Sequence, residues 1–403
     1  MKFFLLIRTL GRAGTEAQVR NLALGLRAAG HEVTVLTFYG GGTYETDLVS
    51  DGVRVCSLDK KGRWDLLRFL FRWISFVKES KPDVILSFLT GANLVAITAK
   101  AIFPNIKVFW GFRTAASDGT FGKGGLFGRL EFLTSRRLAG YTNGVICNSF
   151  AGERFLLASG HPKEKLIVIN NGVDTSLFKR QECAASFLRK ELHIPEEKKL
   201  VGIVARLSPE KGHRLFLKGA AEYLKHWNDA HFLVIGGGDQ HFVDGADNSY
   251  LQELKALSAD LAIVSNVTWM GHRSDMPRVF SALTVNSLCS RSVRLKSTSR
   301  FRVSQASSVG ASSMEAMSNS LLESLACGTP CVATDVGDAG IVLATLGTIV
   351  PEDDAKALAQ GWREIISRPH DDQLKLQQKL TSHVRLNYSL EYLIKQTLSV
   401  VGA

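Results

Sequence analysis

The feature that most constrains the fold is a regular alternation of short β-branched runs with longer amphipathic stretches. This alternation is typical of βαβ units, in which parallel strands are joined by crossover helices. It is interrupted at the turn-forming segment Asn170–Asp174 and begins again near Leu200. The sequence therefore predicts an α/β protein built from two doubly wound units. The predicted strands are Lys2–Ile7, Glu32–Phe38, Val53–Leu58, Val84–Ser87, Lys107–Trp110, Gly144–Cys147 and Leu166–Ile169, then Leu200–Ala205, His231–Ile235, Asn266–Met270, Leu283–Leu288, Pro330–Thr334 and Thr348–Val350.

The length of 403 residues also argues for two domains, because a single hydrophobic core rarely grows this large. We predict a first domain over residues 1–175 and a second over 176–370. A helical segment over 371–403 is expected to pack back on the first domain. Ligands of open α/β sheets bind outside the carboxyl ends of the strands, so two such units predict a binding site in a crevice between them.

Composition favours a globular cytoplasmic protein. Apolar residues make up 45% of the chain and charged residues 22%, which excludes a disordered or fibrous chain. No stretch of about 20 residues stays apolar without charge, so no membrane-spanning helix is expected. The apolar run after Met1 is too short for a secretory signal. The six cysteines form no CxxC pair, which favours reduced, buried thiols over a disulfide framework.

The chain carries a net charge of +11, and most of this charge lies in residues 1–175. These residues include 23 Lys+Arg and 14 Asp+Glu. This asymmetry suggests an anionic partner. Two basic, aromatic stretches, Trp64–Lys78 and Phe121–Arg137, fit helices that lie on the anionic inner face of a membrane. The same pattern arises if Leu67, Phe71 and Ile74 face the core, and the sequence leaves both open. No nucleic-acid-binding motif is present, so no nucleic-acid partner is expected.

A glycine-containing loop, TLGRAGTE over residues 9–16, follows the first predicted strand and opens a helix. Gly11 and Gly14 would let the backbone approach a ligand, and a helix N-terminus favours an anion such as phosphate. A tight structural turn explains the loop equally well. Its spacing is not GxGxxG and no acidic residue caps the second strand, so a dehydrogenase-type dinucleotide site is not indicated.

The segment VARLSPEKGH over residues 204–213 places Arg206 at a strand end and Lys211 at a helix start. Two such cations can converge on one diphosphate and neutralise it as it departs, without a metal ion. A solvated Arg and Lys flanking a turn is the structural alternative.

Two glutamates, Glu315 and Glu323, lie eight residues apart around a helix predicted to begin near Asn319. Carboxylates in these positions can accept hydrogen bonds from sugar and ribose hydroxyls, while the helix N-terminus faces phosphates. A capping or surface charge is the alternative explanation for Glu323.

Taken in order, these motifs resemble glycosyltransferase family 4, a large family of retaining enzymes with the GT-B fold of two Rossmann-like domains facing a central crevice. The motifs are GRAGTE, NGVD, VARLSPEKG, GHRSDMP, E-x7-E and ESLACGTPCVATDVGDAG. The resemblance spans Lys2 to about Leu358 and is nearest to members that build cell-surface polysaccharides. It implies transfer of a hexose or N-acetylhexosamine from a nucleotide-diphosphate sugar, UDP more than GDP, to a polyprenyl-phosphate-linked or growing glycan of the bacterial envelope.

By this resemblance, Arg206 and Lys211 bind the donor diphosphate as leaving group, and Glu315 holds hydroxyls of the donor sugar. The other donor-binding residues that it implies are Gly11, Gly14, Gly238, Gly271, His272, Ala316, Met317, Asn319, Leu321 and Glu323. Arg113 and Asp118 fall on the acceptor side. The reaction is expected to retain the anomeric configuration by front-face displacement, with the donor phosphate taking the acceptor's proton. No protein base, metal ion or other cofactor is then required.

Two departures from the family pattern bear on activity. Ala316 stands where relatives usually have glycine, and a methyl group there could reduce activity. Residues 291–313 form a basic, serine-rich insertion that predicts an exposed loop beside the crevice. This loop either contacts an anionic acceptor or compromises the site. These departures leave a catalytically impaired nucleotide-sugar-binding homologue as an alternative to a transferase. A nucleotide-sugar epimerase is a second alternative, because it would have the same overall fold.

Overall fold

The computed structural model describes residues 1–11, 13–62, 64–113, 125–237, 249–293, 312–313 and 315–403. They form two compact units, Met1–Gly172 with Tyr388–Ala403, and Val173–Asn387. The boundary therefore falls close to the predicted one after residue 175. The predicted C-terminal segment is divided, because its first helix belongs to the second unit and only its last helix belongs to the first. Among the described helices, none has both the length and the apolarity needed to cross a bilayer.

The first unit is a parallel sheet of seven strands in the order β3-β2-β1-β4-β5-β6-β7. Its strands are β1 (Lys2–Ile7), β2 (Glu32–Thr37), β3 (Arg54–Ser57), β4 (Val84–Phe88), β5 (Lys107–Phe112), β6 (Gly144–Cys147) and β7 (Leu166–Val168). Its helices are α1 (Gly14–Ala28), α2 (Thr43–Ser50), α3 (Leu66–Ser80), α4 (Thr90–Ile102), α5 (Gly125–Leu138), α6 (Phe150–Ala158) and α15 (Leu390–Val401).

Strand β1 shows why this sheet is covered on both faces. Phe4 and Leu6 belong to one apolar cluster, while Phe3, Leu5 and Ile7 belong to another, and all five are fully buried. Since successive side chains point to opposite faces, a strand with two buried faces reads as a continuous apolar run. The pattern that predicted the strands is thus the pattern of a sheet between two helical layers.

Helix α15 completes the helical layer that contains α1. Ile394 lies so close to Gly25 of α1 that a Cβ at position 25 would clash with it, and Leu393 packs in the same way on Gly172. The Nζ of Lys107 donates to the carbonyl oxygen of Val401 at 2.8 Å. Packing by Leu393, Ile394 and Val401, all buried, therefore fixes the end of the chain on the first unit.

The second unit holds a parallel sheet of six strands in the order β10-β9-β8-β11-β14-β15. Its strands are β8 (Lys199–Val204), β9 (Ala230–Ile235), β10 (Val267–Gly271), β11 (Val285–Leu288), β14 (Cys331–Thr334) and β15 (Thr348–Val350). Its helices are α7 (Ala184–Leu192), α8 (His213–Leu224), α9 (Ser249–Asp260), α10 (Met276–Ala282), α11 (Asn319–Ala326), α12 (Ala339–Leu343), α13 (Ala355–Ile366) and α14 (His370–Asn387). Both sheets begin with the 3-2-1-4-5-6 strand order of the Rossmann fold, which confirms the predicted α/β class.

A short antiparallel ribbon lies between β11 and α11. Its strands are β12 (Ser292–Val293) and β13 (Ser312–Ser313), which pair Ser292 with Ser313 and Val293 with Ser312. The two ends of the predicted insertion are therefore paired strands rather than open loop. Residues 294–311 lie outside the described part of the chain.

Gln18 provides a test of the contact between α1 and Gly172, where the chain leaves the first unit. Its buried amide donates to the carbonyl oxygen of Gly172 at 3.0 Å and accepts from the N–H of Gly172 at 3.1 Å. Gln18→Ala leaves both backbone groups without these partners, so we expect a loss of about 2–3 kcal/mol and a melting temperature lower by about 5 °C. Calorimetry measures this change. Gln378→Ala, on an exposed position of α14, is the control, and an equal melting temperature in both variants would contradict the prediction.

Candidate functional site

The carboxyl edge of the second sheet brings together most of the residues predicted to bind the donor. Because its six strands are parallel, the segments that follow them leave at the same edge. Sheet order reverses between β8 and β11, and such reversals are where open α/β sheets bind ligands. Arg206 follows β8 and Ser290 follows β11, so these residues flank the reversal.

Arg206 is held at the edge by an acidic partner. Its Nη2 donates to Oε1 of Glu210 at 3.2 Å, and the same oxygen accepts from Oγ of Ser208 at 2.6 Å. Burial opposes ionisation of Glu210, but the Ser208 hydrogen bond and the charges of Arg206 and Lys211 together lower its pKa. The Arg206 side chain keeps 46% of its exposure, so it is oriented and still accessible to an anion. Sequence reasoning did not single out Glu210, although it lies within the motif that carries Arg206.

Lys211 and Glu315 meet across the reversal. The ammonium group of Lys211 donates to Oε2 of Glu315, and the two side chains are only 25% and 12% exposed. The same carboxylate oxygen accepts from Oγ of Ser290 at 2.9 Å. The structure thus places the cation predicted for the diphosphate against the carboxylate predicted for the sugar. Ser290 was not predicted, because no motif marks it.

Two glycines allow the backbone segments of this site to approach each other. At Gly212, with φ +71°, a Cβ would overlap the carbonyl oxygen of Cys289, and at Gly337, with φ +63°, it would overlap that of Glu315. Any side chain at these positions would push Lys211 or Glu315 away. Ala316 is buried and is not among the described residues with positive φ, so its methyl group imposes no backbone strain.

Helix α11 starts beside Glu315, as predicted. Ser318 caps it by accepting from the N–H of Leu321 at 3.4 Å. Met317 and Leu321 are buried, so their side chains are not available to a ligand. Asn319 is the first residue of the helix and is half-buried.

Glu323 lies one turn into α11. It is half-buried and, among the described residues, no side chain or backbone group forms a hydrogen bond or ion pair with its carboxyl group. Burial raises its pKa to about 8. A carboxyl group that is neutral near pH 7 can both donate to and accept from a hydroxyl group. This is a suitable partner for a diol such as that of ribose.

The ends of β9 and β10 are also close together. The N–H of Gly236 donates to the carbonyl oxygen of Gly271 at 2.8 Å, and Gly237 faces the Cβ of His272. Gly271 and His272 are both exposed. Gly238, which the family resemblance also implies for donor binding, lies outside the described residues.

The first unit contains the remaining predicted residues. Gly11 is buried in the segment between β1 and α1, and Gly14 is the exposed first residue of α1. Arg113 follows β5, donates from Nη1 to Oδ1 of Asn171 at 2.9 Å, and lies 5.3 Å from the centre of the Phe88 ring. Burial lowers the pKa of Arg113 to about 10. Both of these contacts lie within the first unit. Asp118 lies outside the described residues.

Two family models match the chain in succession. The model described as Glycosyltransferase Family 4 matches residues 12–177, and the model described as Glycosyl transferases group 1 matches residues 185–385. Together with the two Rossmann-type sheets, these matches define the class, and the chain belongs to the family 4 glycosyltransferases with the GT-B fold.

Individual relatives are distant. EpsF of Bacillus subtilis (strain 168) is 24% identical over 350 residues, covering 83% of this chain and 80% of EpsF. The GalNAc-α-(1→4)-GalNAc-α-(1→3)-diNAcBac-PP-undecaprenol α-1,4-N-acetyl-D-galactosaminyltransferase of Campylobacter jejuni is 25% identical over 307 residues, 72% of this chain and 73% of that enzyme. Anabaena Alr3699/HepE, solved with UDP and glucose, has a TM-score of 0.80 and 19% identity over the full length of both chains.

The raised pKa of Glu323 predicts a pH-dependent stability. Its pKa of about 8 in the folded protein exceeds the usual 4.5, so the folded state binds the proton more tightly and loses this contribution as pH rises through about 8. Glu323→Gln mimics the neutral form. We therefore expect its melting temperature to exceed that of the wild type at pH 9 by more than at pH 5.

The measurement is a melting curve at each half pH unit from 5 to 9. Glu197→Gln, which removes an exposed carboxylate of the same unit, controls for the loss of a charge. A difference between Glu323→Gln and wild type that stays constant over this range would refute the assignment.

Proposed function

We propose that the protein is a retaining, metal-independent glycosyltransferase of the cytoplasm. In this proposal it transfers a hexose or N-acetylhexosamine from a nucleotide-diphosphate sugar to a polyprenyl-phosphate-linked or growing glycan in surface polysaccharide biosynthesis. The observation that carries the proposal is the cluster of Arg206, Lys211, Ser290 and Glu315 at the strand-order reversal of the second unit.

The cluster combines the two chemical functions that the transfer requires. Arg206 and Lys211 supply positive charge for the departing diphosphate, which removes the need for a metal ion in this proposal. Glu315 accepts hydrogen bonds from donor-sugar hydroxyls, and Ser290 fixes the orientation of its carboxylate. Glu323 holds the ribose, and the edge formed by Gly271 and His272 lies beside the base.

The proposed reaction is a front-face displacement. The bond from the anomeric carbon to the diphosphate oxygen breaks while a bond from the acceptor oxygen forms on the same face. The acceptor's proton passes to the departing phosphate oxygen, so the atoms and charges balance without a protein base. Lys211 then interacts with the diphosphate as well as with Glu315, because negative charge moves onto the diphosphate in the transition state.

Support for the donor and acceptor comes from relatives. HepE has been solved with UDP and with UDP-glucose, which favours UDP over GDP as the donor nucleotide here. The Campylobacter relative is named for an undecaprenol-linked glycan, which favours a polyprenyl-linked acceptor.

Transfer assays with a panel of UDP- and GDP-sugars and polyprenyl-linked acceptors test this function. We expect turnover with a UDP-sugar in the presence of EDTA, and a loss of about 10²–10³-fold in kcat for Arg206→Ala, Lys211→Ala and Glu315→Ala. Lys218→Ala, exposed on α8, is the control for the removal of a lysine charge.

Two other outcomes would contradict the proposal. Release of an altered sugar nucleotide without an acceptor would identify an epimerase. Nucleotide-sugar binding by calorimetry without any turnover would identify the impaired homologue that Ala316 and the insertion had suggested.

We also propose that the first unit docks on anionic membrane through α3 and the residues before it. Leu67 and Phe71 lie one turn apart and are 85% and 72% exposed, and Trp64 is 89% exposed. Exposed Arg68 lies next to Leu67. Of the three residues that could have faced the core, only Ile74 packs against it. Exposed apolar side chains interleaved with cations suit the interface of an anionic bilayer.

A charge substitution on this face tests docking. Leu67→Glu combined with Phe71→Glu removes apolar insertion and adds negative charge without disturbing the core, so we expect at least about 10-fold weaker co-sedimentation with phosphatidylglycerol vesicles. Leu386→Glu, at a side chain that is 70% exposed in the second unit, is the matched control. Equal binding of the wild type to phosphatidylcholine vesicles would refute the electrostatic part of the proposal.

A further inference from the structure

The insertion joins the second unit through a small group of hydrogen-bonded residues. This group borders the cluster of Arg206, Lys211, Ser290 and Glu315, which we call the donor cluster, and shares Ser290 with it. We define the insertion root as Ser290–Val293 together with the paired residues Ser312 and Ser313. Ladder pairing of Ser292 with Ser313 brings the two ends of the insertion side by side, so that Ser290 and Glu315 each lie two residues beyond the pair. The root lies wholly within the part of the chain that the structure describes.

The insertion root bonds to the loop that carries the two cations. The N–H of Arg291 donates to the carbonyl oxygen of Glu210 at 2.9 Å. Glu210 is the residue whose carboxylate holds Arg206, and Lys211 follows it directly. A shift of the root therefore shifts the backbone from which Arg206 and Lys211 are positioned.

The insertion root also forms a hydrogen bond to Glu315, the carboxylate proposed to bind the donor sugar. Oγ of Ser290 donates to Glu315 at 2.9 Å, while the carbonyl oxygen of Ser290 accepts from Oγ1 of Thr334 at 2.6 Å. Thr334 ends β14 and is fully buried, so it ties this side of the root to the sheet. The root thus connects the cationic loop with Glu315.

Two acidic residues after β15 contact the far side of the insertion root, and only one of them holds it firmly. Glu352 is half-buried and accepts twice from Ser292, at 2.7 Å from its N–H and 2.5 Å from its Oγ. Asp353 pairs at 2.8 Å with Arg291, but these side chains are 61% and 44% exposed. A surface pair of this kind contributes about 0–1 kcal/mol, whereas two hydrogen bonds to one carboxylate fix the position of Ser292.

We propose that Glu352 is a positioning residue for glycosyl transfer, an inference that rests on the proposed function. Through Ser292 it holds the insertion root, and through the root it sets the distance between the Arg206–Lys211 loop and Glu315. The insertion is thereby attached without opening the donor cluster. Small displacements of groups that act on a reacting centre cost large factors in rate, so loss of this hold is expected to slow turnover.

Three variants separate positioning from general destabilisation. Glu352→Ala removes both contacts to Ser292, and we expect kcat to fall about 10–100-fold while KM for the nucleotide sugar changes less than about threefold. Glu352→Gln keeps one acceptor oxygen for the N–H of Ser292 and replaces the other with an amide N–H, which can donate to the hydroxyl oxygen of Ser292. Both contacts can therefore persist, with the second reversed in direction, and kcat is expected within about threefold of wild type. Asp353→Asn is the matched control on the neighbouring residue and is expected to leave kcat unchanged.

Hydrogen–deuterium exchange measured on the same proteins does not depend on catalysis. Peptides covering Arg291 are expected to exchange faster in Glu352→Ala and at the wild-type rate in Glu352→Gln and Asp353→Asn. Wild-type kcat in Glu352→Ala, or a loss that Glu352→Gln does not rescue, would overturn the positioning role. If the wild-type protein transfers no sugar, the proposed function fails, and unchanged exchange at Arg291 in Glu352→Ala would separately refute the coupling.

Discussion

Parallel pairing is the constraint on which the arrangement of both units depends. A parallel strand can be reached from its neighbour only by a crossover, so each strand is followed by a connection, usually a helix, that covers a face of the sheet. The carboxyl ends of the strands then meet at one edge, and reversal of strand order opens that edge between two neighbouring segments. Arg206 and Ser290 stand on either side of such a reversal because β8 and β11 pair directly.

The succession of strands and helices could be predicted because the sequence pattern of each element is local. Continuous apolar runs such as the one in β1 mark strands buried on both faces, and the turn near Asn170 marks the change of unit. The division of the C-terminal segment could not be predicted. Helices α14 and α15 both show helical patterns, and only the fit of Ile394 against Gly25 distinguishes where the second one packs.

The candidate site was predictable to the extent that its residues lie in motifs. Arg206, Lys211 and Glu315 belong to recognisable segments, yet their mutual contacts arise from residues 104 positions apart and from partners without a motif. Ser290 and Glu352 gain their importance from an antiparallel ribbon and from the loop after β15, neither of which leaves a periodic trace. Whether alanine fits at position 316 without backbone strain likewise depends on the φ angle there, which composition does not reveal.

The return of α15 to the first unit sets an order on biosynthesis. Residues 388–403 emerge from the ribosome only after the whole of Val173–Asn387 has been made. Until then the apolar surface that surrounds Gly25 and Gly172 has no cover, so the first unit waits in an incomplete state while the second is free to fold. Chaperone demand during translation, and the damage caused by a late frameshift, therefore fall on the half of the molecule that is synthesised first.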